Sequence, residues 1–444
     1  MRLNNNQKHL MRSGGWWALY DGFTSLYLAA FALALGASNT IIGILGAIPY
    51  VAIMISEIPG AKLLEHFKRL QIYGFASMLS RFMWLGMILT PLLFAKNPLL
   101  AVVIFYFLSK LGDYVSDPAW TVLVADAVPN KIRGEFIARR VRLINIFGMI
   151  ALVLGGWYLD LFQAPDLTGF VTMFLVGIGF GVTTTLFTLR VKEPPYQDHA
   201  HHGFREFFQL DGDLKRFTIF TFCFNFAFML ASPFFTVYIL KDLGQPYAIF
   251  AIATALTHIS KILVFKHVGK LSDKFGDKPV LLLSCFGTAI VPLLFLLISP
   301  ERIWLLFPVQ ILTGIVWAGY DVTIFNMFLD VTTPDKRAVQ TATYSIVTSI
   351  PLAVGPVLGG FIADNLVLGL AGIPLVFAIS AVFRALAPVL LLKIPERRIT
   401  HEYPLREVLW KAVELHPSRG LQHRWQGVIR GFRKRGMLFL DTFR

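Results

Sequence analysis

The sequence predicts an all-α membrane protein whose twelve transmembrane helices form two six-helix bundles related by a parallel internal repeat. Hydrophobic residues make up 55% of the 444 residues and charged residues only 15%, whereas about 25% of a typical soluble domain is charged. Apolar runs of roughly 20 residues, each able to cross about 30 Å of hydrocarbon, follow one another along the chain. These observations exclude a disordered chain, a secreted disulfide scaffold and an ordinary cytosolic enzyme.

Apolar runs ended by charge, Pro or Gly place the twelve predicted helices, which we name span 1 to span 12 in chain order. They cover residues 14–35, 40–63, 71–95, 98–125, 138–162, 167–190, 216–240, 246–267, 278–299, 302–326, 340–362 and 366–392. The predicted organisation is an N-terminal bundle over residues 1–190, a cytoplasmic linker over 191–215, a C-terminal bundle over 216–394 and a basic cytoplasmic tail over 395–444.

The basic residues that give the chain its net charge of +14 are distributed unevenly between the two sides of the predicted membrane topology. Most of the 41 Lys and Arg residues fall on the side of the two termini, and only Lys96, Lys241 and Arg302 fall on the opposite side. Because cytoplasmic loops carry the excess of positive charge, we expect a multi-pass protein of the plasma membrane with both termini in the cytoplasm. Nucleic-acid binding is a poor explanation for this basicity.

The polar segments and the two cysteines do not predict a metal site, a disulfide or another reactive site. The tail after Pro395 mixes basic and aromatic residues, which suits an amphipathic helix on anionic lipid or, equally, a solvated tail. The histidine cluster that begins at His199 has no fixed scaffold, so a solvated loop is favoured over a metal site. Cys223 and Cys285 lie in apolar runs, so no disulfide framework is predicted. We expect no metal and no other cofactor.

One register relates the two halves of the chain almost without gaps. At a shift of 208 residues, 61–67 falls on 269–275. At a shift of 204, the matching pairs are Asp117 with Asp321, Asp126 with Asp330, Arg133 with Arg337, Gly156 with Gly360, and Asp160 with Asp364. Spans 1 to 6 therefore repeat as spans 7 to 12 in the same orientation.

A polar stripe marks span 4. Its members follow the i, i+4, i+7, i+11 spacing of one helix face, and they are Tyr106, Lys110, Asp113 and Asp117. The repeat maps this stripe onto Gln310, Gly314, Trp317 and Asp321 of span 10. A charged side chain at the bilayer centre costs ~2.5 to 3.5 kcal/mol, so each one should face a partner or a watery cavity.

The charged residues of these stripes, and Asp21 of span 1, could instead have a purely structural role. Lys110 and Asp113 are three residues apart and could neutralise each other even in a closed core. Asp117 and Asp321 lie two turns before the loops, where a gate or packing role competes with substrate contact. Asp21 of span 1 either serves the cavity as a proton site or pairs with Lys110.

The remaining charges inside predicted spans are interpreted as structural. Arg81 and Glu57 lie at compatible depths on spans 3 and 2, and Lys261 and Arg384 can pair locally or extend to the interface.

The loop motifs carry a resemblance to the major facilitator superfamily, which covers residues 14–395. The run from Gly269 to Lys278, with Asp273 and Gly276 inside it, closely resembles the loop that joins the second and third helices of each half in that family. The degraded first copy contains Lys62 and Glu65, and the loop after the fourth helix contains Asp126 and Arg133, with Asp330 and Arg337 in its second copy. The run from Gly355 to Gly360 resembles an antiport motif, but it stands in span 11 rather than span 5, so no antiport inference follows.

The resemblance implies a central cavity lined by spans 1, 4, 7 and 10. It therefore adds Asp21 of span 1 and Asn225 of span 7 to the two stripes. The family usually has small or uncharged residues where Lys110 and Asp113 stand, so substrate or ion chemistry is expected there.

The resemblance also implies a cytoplasmic latch. Gly269 would let two helices approach closely, and Asp273 would lie near the N-terminus of a neighbouring helix, where the helix dipole favours an anion. Glu65 would have the same role in the first half. The structural alternative is that these residues only form a short turn.

The predicted function is secondary transport of a small solute by alternating access, and not enzymatic catalysis. The chain has no G-x-x-x-x-G-K-[ST] loop, so it would consume no nucleotide. Proton coupling fits the acidic stripe, and because Asp residues outnumber Lys110 there, export of amphipathic or cationic compounds is favoured. The alternatives are uptake of an organic acid with Lys110 as the anion site, a passive channel or facilitator, and a membrane scaffold that signals through its basic tail.

Overall fold

The computed structural model describes residues 3–94, 96–162, 166–193, 212–333 and 336–396. In these residues the fold is nearly all helical, as predicted, and each predicted span matches one helix or a short series of helical segments. The His199 cluster and the tail beyond residue 396 lie outside the described residues. The linker at 191–215 stays a prediction, because residues 194–211 also lie outside them.

Six spans form the N-terminal half. Span 1 consists of Asn5–Phe23, a 3-10 turn at Ser25–Tyr27 and Leu28–Ala34; span 2 is Asn39–Leu63; span 3 is Arg69–Ile88 with a short helix at Thr90–Leu93; span 4 is Pro98–Ala127; span 5 is Asn130–Leu159; span 6 is Thr168–Leu189.

The C-terminal half repeats this order. Span 7 consists of Gly212–Ala231, Phe234–Val237 and a π-helical turn at Tyr238–Asp242; span 8 is Tyr247–Phe275; span 9 is Asp277–Phe295; span 10 is Leu306–Val331, preceded by a 3-10 segment at Pro300–Leu305; span 11 is Arg337–Asn365; span 12 is Ile373–Leu386, continued by a 3-10 segment at Ala387–Lys393.

Span 12 begins later than predicted. Residues 367–371 form a two-stranded antiparallel hairpin, in which Val367 pairs with Ala371. Gly369 and Gly372 have positive φ angles of 71° and 65°, and such a backbone cannot continue a helix. The apolar run from residue 366 therefore includes an exposed turn before the membrane-crossing helix starts at Ile373.

Nine helices in the described part of the chain are long and apolar enough to cross a membrane. They belong to spans 2, 4, 6 and 7 to 12. Span 1 is divided at Thr24, whose φ of −120° and ψ of −80° are not helical and whose hydroxyl donates to the carbonyl of Tyr20 at 2.6 Å. Spans 3 and 5 carry arginines inside their helices, which lowers their hydropathy.

Each half has its own helix packing. In the N-terminal half, span 1 packs on spans 5 and 6, and span 4 packs on spans 2 and 3. In the C-terminal half, span 7 packs on span 11, span 8 on span 10, and span 9 on spans 10 and 12. Two pairs connect the halves extensively, namely span 2 with span 11 and span 5 with span 8.

The hydrophobic cores show where the two halves are closed against each other. We call the membrane side that holds the N-terminus the terminal side, and the other the far side. The largest core unites both halves near the far side, and there the Tyr27 and Phe250 rings lie 6.3 Å apart. In the ranges that the structure describes, each of the smaller cores toward the terminal side consists of residues from one half. The described contacts therefore close the far side.

Candidate functional site

Arg81, Lys110 and Asp113 form a buried ionic cluster in the N-terminal half. The Asp113 carboxylate accepts from the Arg81 guanidinium at 2.5 Å and from Lys110 Nζ at 3.3 Å. Exposure of these side chains is only 3% for Arg81, 11% for Lys110 and 19% for Asp113. Lys110 lies twelve residues after Pro98, about 18 Å along span 4 by helical rise, so the cluster stands near the middle of that helix.

Span 4 approaches span 3 closely at this cluster. A Cβ atom at Gly112 would lie 3.1 Å from the backbone nitrogen of Ser80, so a larger residue would push the two helices apart. The hydroxyls of Ser80 and Ser109 are 3.0 Å apart, and the Arg81 guanidinium donates to Ser80 at 2.9 Å. Small residues thus bring Arg81 within reach of the predicted stripe.

Span 1 completes the surroundings of the cluster. Lys110 Nζ donates to the Ser25 hydroxyl at 3.4 Å, and Asp21, which is half-buried, interacts electrostatically with Lys110. The Arg81 guanidinium lies 4.2 Å from the centre of the Tyr20 ring. Lys110 Nζ lies 5.4 Å from the Tyr106 ring. Both cations are therefore held between carboxylates and aromatic faces.

A cavity of about 250 Å³ opens beside the cluster. Asp113 and Asp117 line it together with Arg81, Lys110 and Arg140. Its wall also contains the aromatic residues Trp17, Tyr73, Tyr114 and Trp120. The structure thus brings the span 4 stripe into one cavity, except for Tyr106, which is buried against Trp84.

The predicted residues of the C-terminal half make separate contacts. Asn225 donates to the backbone carbonyl of Thr348 at 3.3 Å. Gln310 is buried and accepts from the Thr257 hydroxyl at 2.9 Å. Trp317 packs edge-on against Phe228, with ring centres 4.6 Å apart.

Two cations inside the C-terminal half are held in different ways. Lys261 forms an ion pair with Asp321 of span 10, and about a third of the Asp321 side chain is exposed. Arg384 is buried and donates to the carbonyl of Thr288 at 3.0 Å and to that of Phe228 at 3.3 Å.

Arg81 is one of the site residues that were not predicted from the sequence, and Arg140 of the cavity wall is another. The sequence favoured a structural pair between Arg81 and Glu57, but the guanidinium pairs with Asp113; the side chain of Glu57 is not described. The charge count that favoured cationic substrates therefore omitted a cation of the site. The similar depth of Arg81 and Asp113 on adjacent spans was the available signal.

The terminal side of the N-terminal half is held by Arg69. Its guanidinium forms an ion pair with Asp126 and donates to Glu193 at 3.1 Å, and its backbone N–H donates to Glu193 at 2.9 Å. Lys62 and Glu65 are exposed. The described contacts at this position thus centre on Arg69 rather than on Glu65.

The loop between spans 8 and 9 differs from the expectation. A Cβ atom at Gly269 would have no atom within 4 Å, so Gly269 does not mark a close helix approach here. Asp273 is exposed, and the buried acid at the start of span 9 is Asp277, which accepts from Asn326 at 3.0 Å and from Ser272. Gly276 joins the two helices with a φ of 88°.

Arg133 and Arg337 have the same role in the two halves. Arg133 donates to the carbonyl of Ala125 at 2.5 Å, and Arg337 donates to the carbonyl of Leu329, its repeat position, at 3.4 Å. Each arginine thereby binds the carbonyl end of the preceding span, where the helix dipole favours a cation. Asp330 is half-buried in the last turn of span 10.

Two aspartates connect the halves at the far side. Asp364 of span 11 accepts from the backbone N–H groups of Asn39 and Thr40 at 3.2 and 2.8 Å, at the start of span 2. Asp160, its repeat mate, accepts from those of Tyr247 and Ala248 at 2.8 and 2.9 Å, at the start of span 8. Each carboxylate thus caps a helix N-terminus of the other half.

Two glycines permit this far-side contact. A Cβ atom at Gly156 would lie 2.7 Å from the carbonyl oxygen of Tyr247, and one at Gly360 would lie 2.7 Å from the Cα of Thr40. Gly360, the last residue of the Gly/Pro run in span 11, therefore serves packing between the halves.

Comparisons with known proteins agree with this architecture. The family model described as Major Facilitator Superfamily matches residues 14–216 and 217–442. An uncharacterised MFS-type transporter, YitZ of Bacillus subtilis, is 30% identical over 145 residues, which cover 31% of this chain and 83% of that protein. The class B tetracycline resistance protein of Escherichia coli is 30% identical over 115 residues, 26% of this chain and 28% of that protein. A solved structure of a variant of the nucleoside transporter NupG superposes with a TM-score of 0.73 at 14% identity, covering 88% of this chain and 100% of that one.

Proposed function

The chain belongs to the major facilitator superfamily, and we propose that this transporter is a proton-coupled secondary carrier that exports amphipathic organic compounds by alternating access. It lies in the plasma membrane with both termini in the cytoplasm, because the basic loops fall on the terminal side. The described state then opens toward the cytoplasm. The observation that carries the proposal is the buried ionic cluster beside a cavity in the middle of span 4.

Export is favoured by the partial similarity to a tetracycline resistance protein. That similarity spans about a quarter of each chain, so it supports a direction and no particular substrate. The acidic residues Asp21, Asp117 and Asp321 are compatible with amphipathic cations as cargo. Uptake of an organic acid is the second candidate, and the presence of Arg81 beside Lys110 favours it, since two cations then serve the cluster.

Asp21 is a better proton site than Asp113 in this geometry. Protonation of Asp113 would give up its ion pairs with both Arg81 and Lys110. Asp21 of span 1 lies near Lys110 and, among the described residues, is not a member of the ion pairs that join Asp113 to Arg81 and Lys110. A proton on Asp21 therefore leaves the Arg81–Asp113 pair intact, and Lys110 can shift toward Asp113 when Asp21 is neutral.

Vesicles that contain the purified protein test this function. The probes are benzylamine, tetracycline and salicylate, which differ in charge, and an internal pH dye reports proton movement. A carrier gives saturable counterflow with at least one probe, together with a proton flux. Flux without saturation or counterflow would instead show a channel, and no flux with any probe would contradict a transport function.

Asp21→Asn tests the coupling step. Proton-driven accumulation should be lost, whereas counterflow between two loaded sides should continue, because the variant resembles the protonated state. Asp166→Asn, at an exposed position on the far side, is the matched control. Accumulation that persists in Asp21→Asn with an unchanged pH dependence would remove Asp21 from the mechanism.

A further inference from the structure

Arg140 is a cation of the cavity that the ionic cluster does not use. Its guanidinium lies 4.4 Å from the centre of the Trp120 ring, and its Nε donates to the backbone carbonyl of Leu10 at 3.4 Å. The described residues provide no carboxylate within ion-pair distance of Arg140. A half-buried guanidinium that meets only a carbonyl and a ring keeps donors for an anion.

The side chains that line the cavity include one more cation than carboxylate. Three cations line it, namely Arg81, Lys110 and Arg140, against the two carboxylates of Asp113 and Asp117. Asp113 is already shared between Arg81 and Lys110. Asp21 lies beside Lys110, outside the lining. Asp21 thus balances Lys110 from outside the lining, and Arg140 is the lining cation that has no carboxylate within ion-pair distance among the described residues. An anionic guest would find its partner there.

The cavity wall also selects for shape. Trp17, Tyr73, Tyr114 and Trp120 contribute aromatic surface, and Trp120 already presents one ring face to Arg140. Flat rings pack against such side chains in offset or edge-to-face arrangements. A volume of about 250 Å³ holds a ring system of one or two rings.

We propose that this cavity binds an organic anion with an aromatic body, whose anionic group pairs with Arg140 and whose ring lies against Trp120. This assignment rests on the proposed transport function and chooses one of its two substrate classes. It makes Arg140 a specificity-determining residue, with a guanidinium fork that can hold a carboxylate by two parallel hydrogen bonds.

Paired probes of equal shape and different charge test the assignment. They are benzoate with benzamide, salicylate with salicylamide, and 1-naphthoate with 1-naphthamide. With the detergent-solubilised wild-type protein, we expect each carboxylate to bind at least tenfold more tightly than its amide, as measured by isothermal titration and quenching of tryptophan fluorescence. Equal or weaker binding of all three carboxylates would overturn the proposal.

Arg140→Gln should weaken carboxylate binding at least tenfold and leave amide binding unchanged. Arg139→Gln is the matched control, because Arg139 is the adjacent residue but is about half exposed and pairs with Glu135. Arg140→Lys keeps the charge without the fork and should bind carboxylates with intermediate affinity. Full affinity in both Arg140 variants, or an equal loss in Arg139→Gln, would refute the role of Arg140. If Arg140→Gln does not fold, the wild-type comparison of carboxylate with amide still decides.

The same vesicles separate this inference from the proposed function. If benzylamine shows saturable counterflow and no carboxylate binds, the chain is a carrier and the assigned substrate class is wrong. If carboxylates bind with the expected Arg140 dependence but no probe gives counterflow, the anion site stands and the transport proposal fails.

Discussion

Lys110 and Gly314 occupy the same position of the internal repeat, yet their surroundings differ. Lys110 is a buried cation that donates to Asp113 and Ser25. At Gly314, a Cβ atom would lie 2.9 Å from the backbone nitrogen of Lys261, so span 8 lies where a side chain would project. At this depth along the helices the N-terminal half buries a charged side chain, whereas the C-terminal half packs two helices closely together.

At the ends of the helices, by contrast, repeat-related residues of the two halves make similar contacts. Asp160 and Asp364 both cap a helix of the other half, and Arg133 and Arg337 both bind the end of the preceding span. Repeat-related residues thus keep a common structural role at the membrane surfaces.

This agreement is partial, because Arg69 at the start of span 3 falls on Asp277 at the start of span 9, and the two make different contacts. Toward the middle of the helices the buried Arg81–Lys110–Asp113 cluster belongs to the N-terminal half.

Asp113→Asn should have the largest effect of the variants that test this comparison. Removing the carboxylate leaves Arg81 and Lys110 buried without their shared partner, and breaking a buried ion pair costs ~3 to 5 kcal/mol. We expect a lower unfolding temperature in detergent and a loss of both counterflow and accumulation. Asp321→Asn is the matched control in the C-terminal half, and because its pair with Lys261 is partly exposed, it should cost about 1 kcal/mol or less.

A double variant sharpens the interpretation of Asp113. Arg81→Gln combined with Asp113→Asn removes one cation with the anion, so part of the lost stability should return. If Asp113→Asn instead folds normally, keeps counterflow and loses only accumulation, Asp113 is the proton carrier and the cluster is not primarily structural.

Substitution of the far-side aspartates Asp160 and Asp364 should have the next largest effect. Asp364→Asn removes a carboxylate that accepts from two backbone N–H groups and from the side chains of Asn39 and Thr40, whereas the Asp160 carboxylate accepts from two backbone N–H groups within the described part of the chain. Hydrogen bonds to a charged group contribute ~1.5 to 3 kcal/mol. Asp364→Asn should therefore open the far side more than Asp160→Asn, and the double variant should open it most.

A cysteine in the far-side contact reports this opening. Ala251 is buried, and Gly156 of the other half packs beside it, so Ala251→Cys should react slowly with a maleimide once Cys223 and Cys285 are replaced by serine. About 1.4 kcal/mol of destabilisation corresponds to a tenfold faster reaction. Equal reaction rates in the single and double aspartate variants would show that these carboxylates do not hold the far side closed.

The sequence predicted the helices better than it predicted the partners of their charges. Apolar runs ended by charge, Pro or Gly located all twelve spans apart from the first residues of span 12, because the apolar length that crosses a membrane is a local property of the chain. The partner of Arg81 depends on which faces of spans 3 and 4 meet, and Gly112 and Ser80 determine this across helices. The role of Asp277 was missed for a similar reason, since its contact with Asn326 joins residues 49 positions apart.

The glutamates after spans 6 and 12 give a smaller effect. Glu193 accepts from the backbone and the side chain of Arg69, whereas Glu396 accepts from the backbone N–H of Lys278 at 2.8 Å. Glu193→Gln should therefore lower the free energy of unfolding more than Glu396→Gln, for which a loss of about 1 kcal/mol is expected because a helix cap is removed.

Deleting residues 400–444 should leave the free energy of unfolding unchanged. Deleting residues 396–444 should lower it by the same amount as Glu396→Gln. An equal loss from both deletions would mean that the tail itself stabilises the fold.

Gly269→Ala should have the smallest effect, and its sign is informative. Because a Cβ atom at Gly269 would meet no atom within 4 Å, alanine should stabilise span 8 by about 0.5 to 1 kcal/mol through its higher helix propensity. Gly276→Ala is the opposite case, since the φ of 88° and the Glu396 carboxylate 2.6 Å from the added atom both disfavour alanine there. The proposed alternating access requires the terminal side to close in another state, and the sequence predicts that Gly269 lies at that closure. Thermal unfolding and counterflow should therefore separate in Gly269→Ala, with a higher unfolding temperature and slower exchange. A higher unfolding temperature with unchanged exchange would show that no close helix approach occurs at Gly269 in either state.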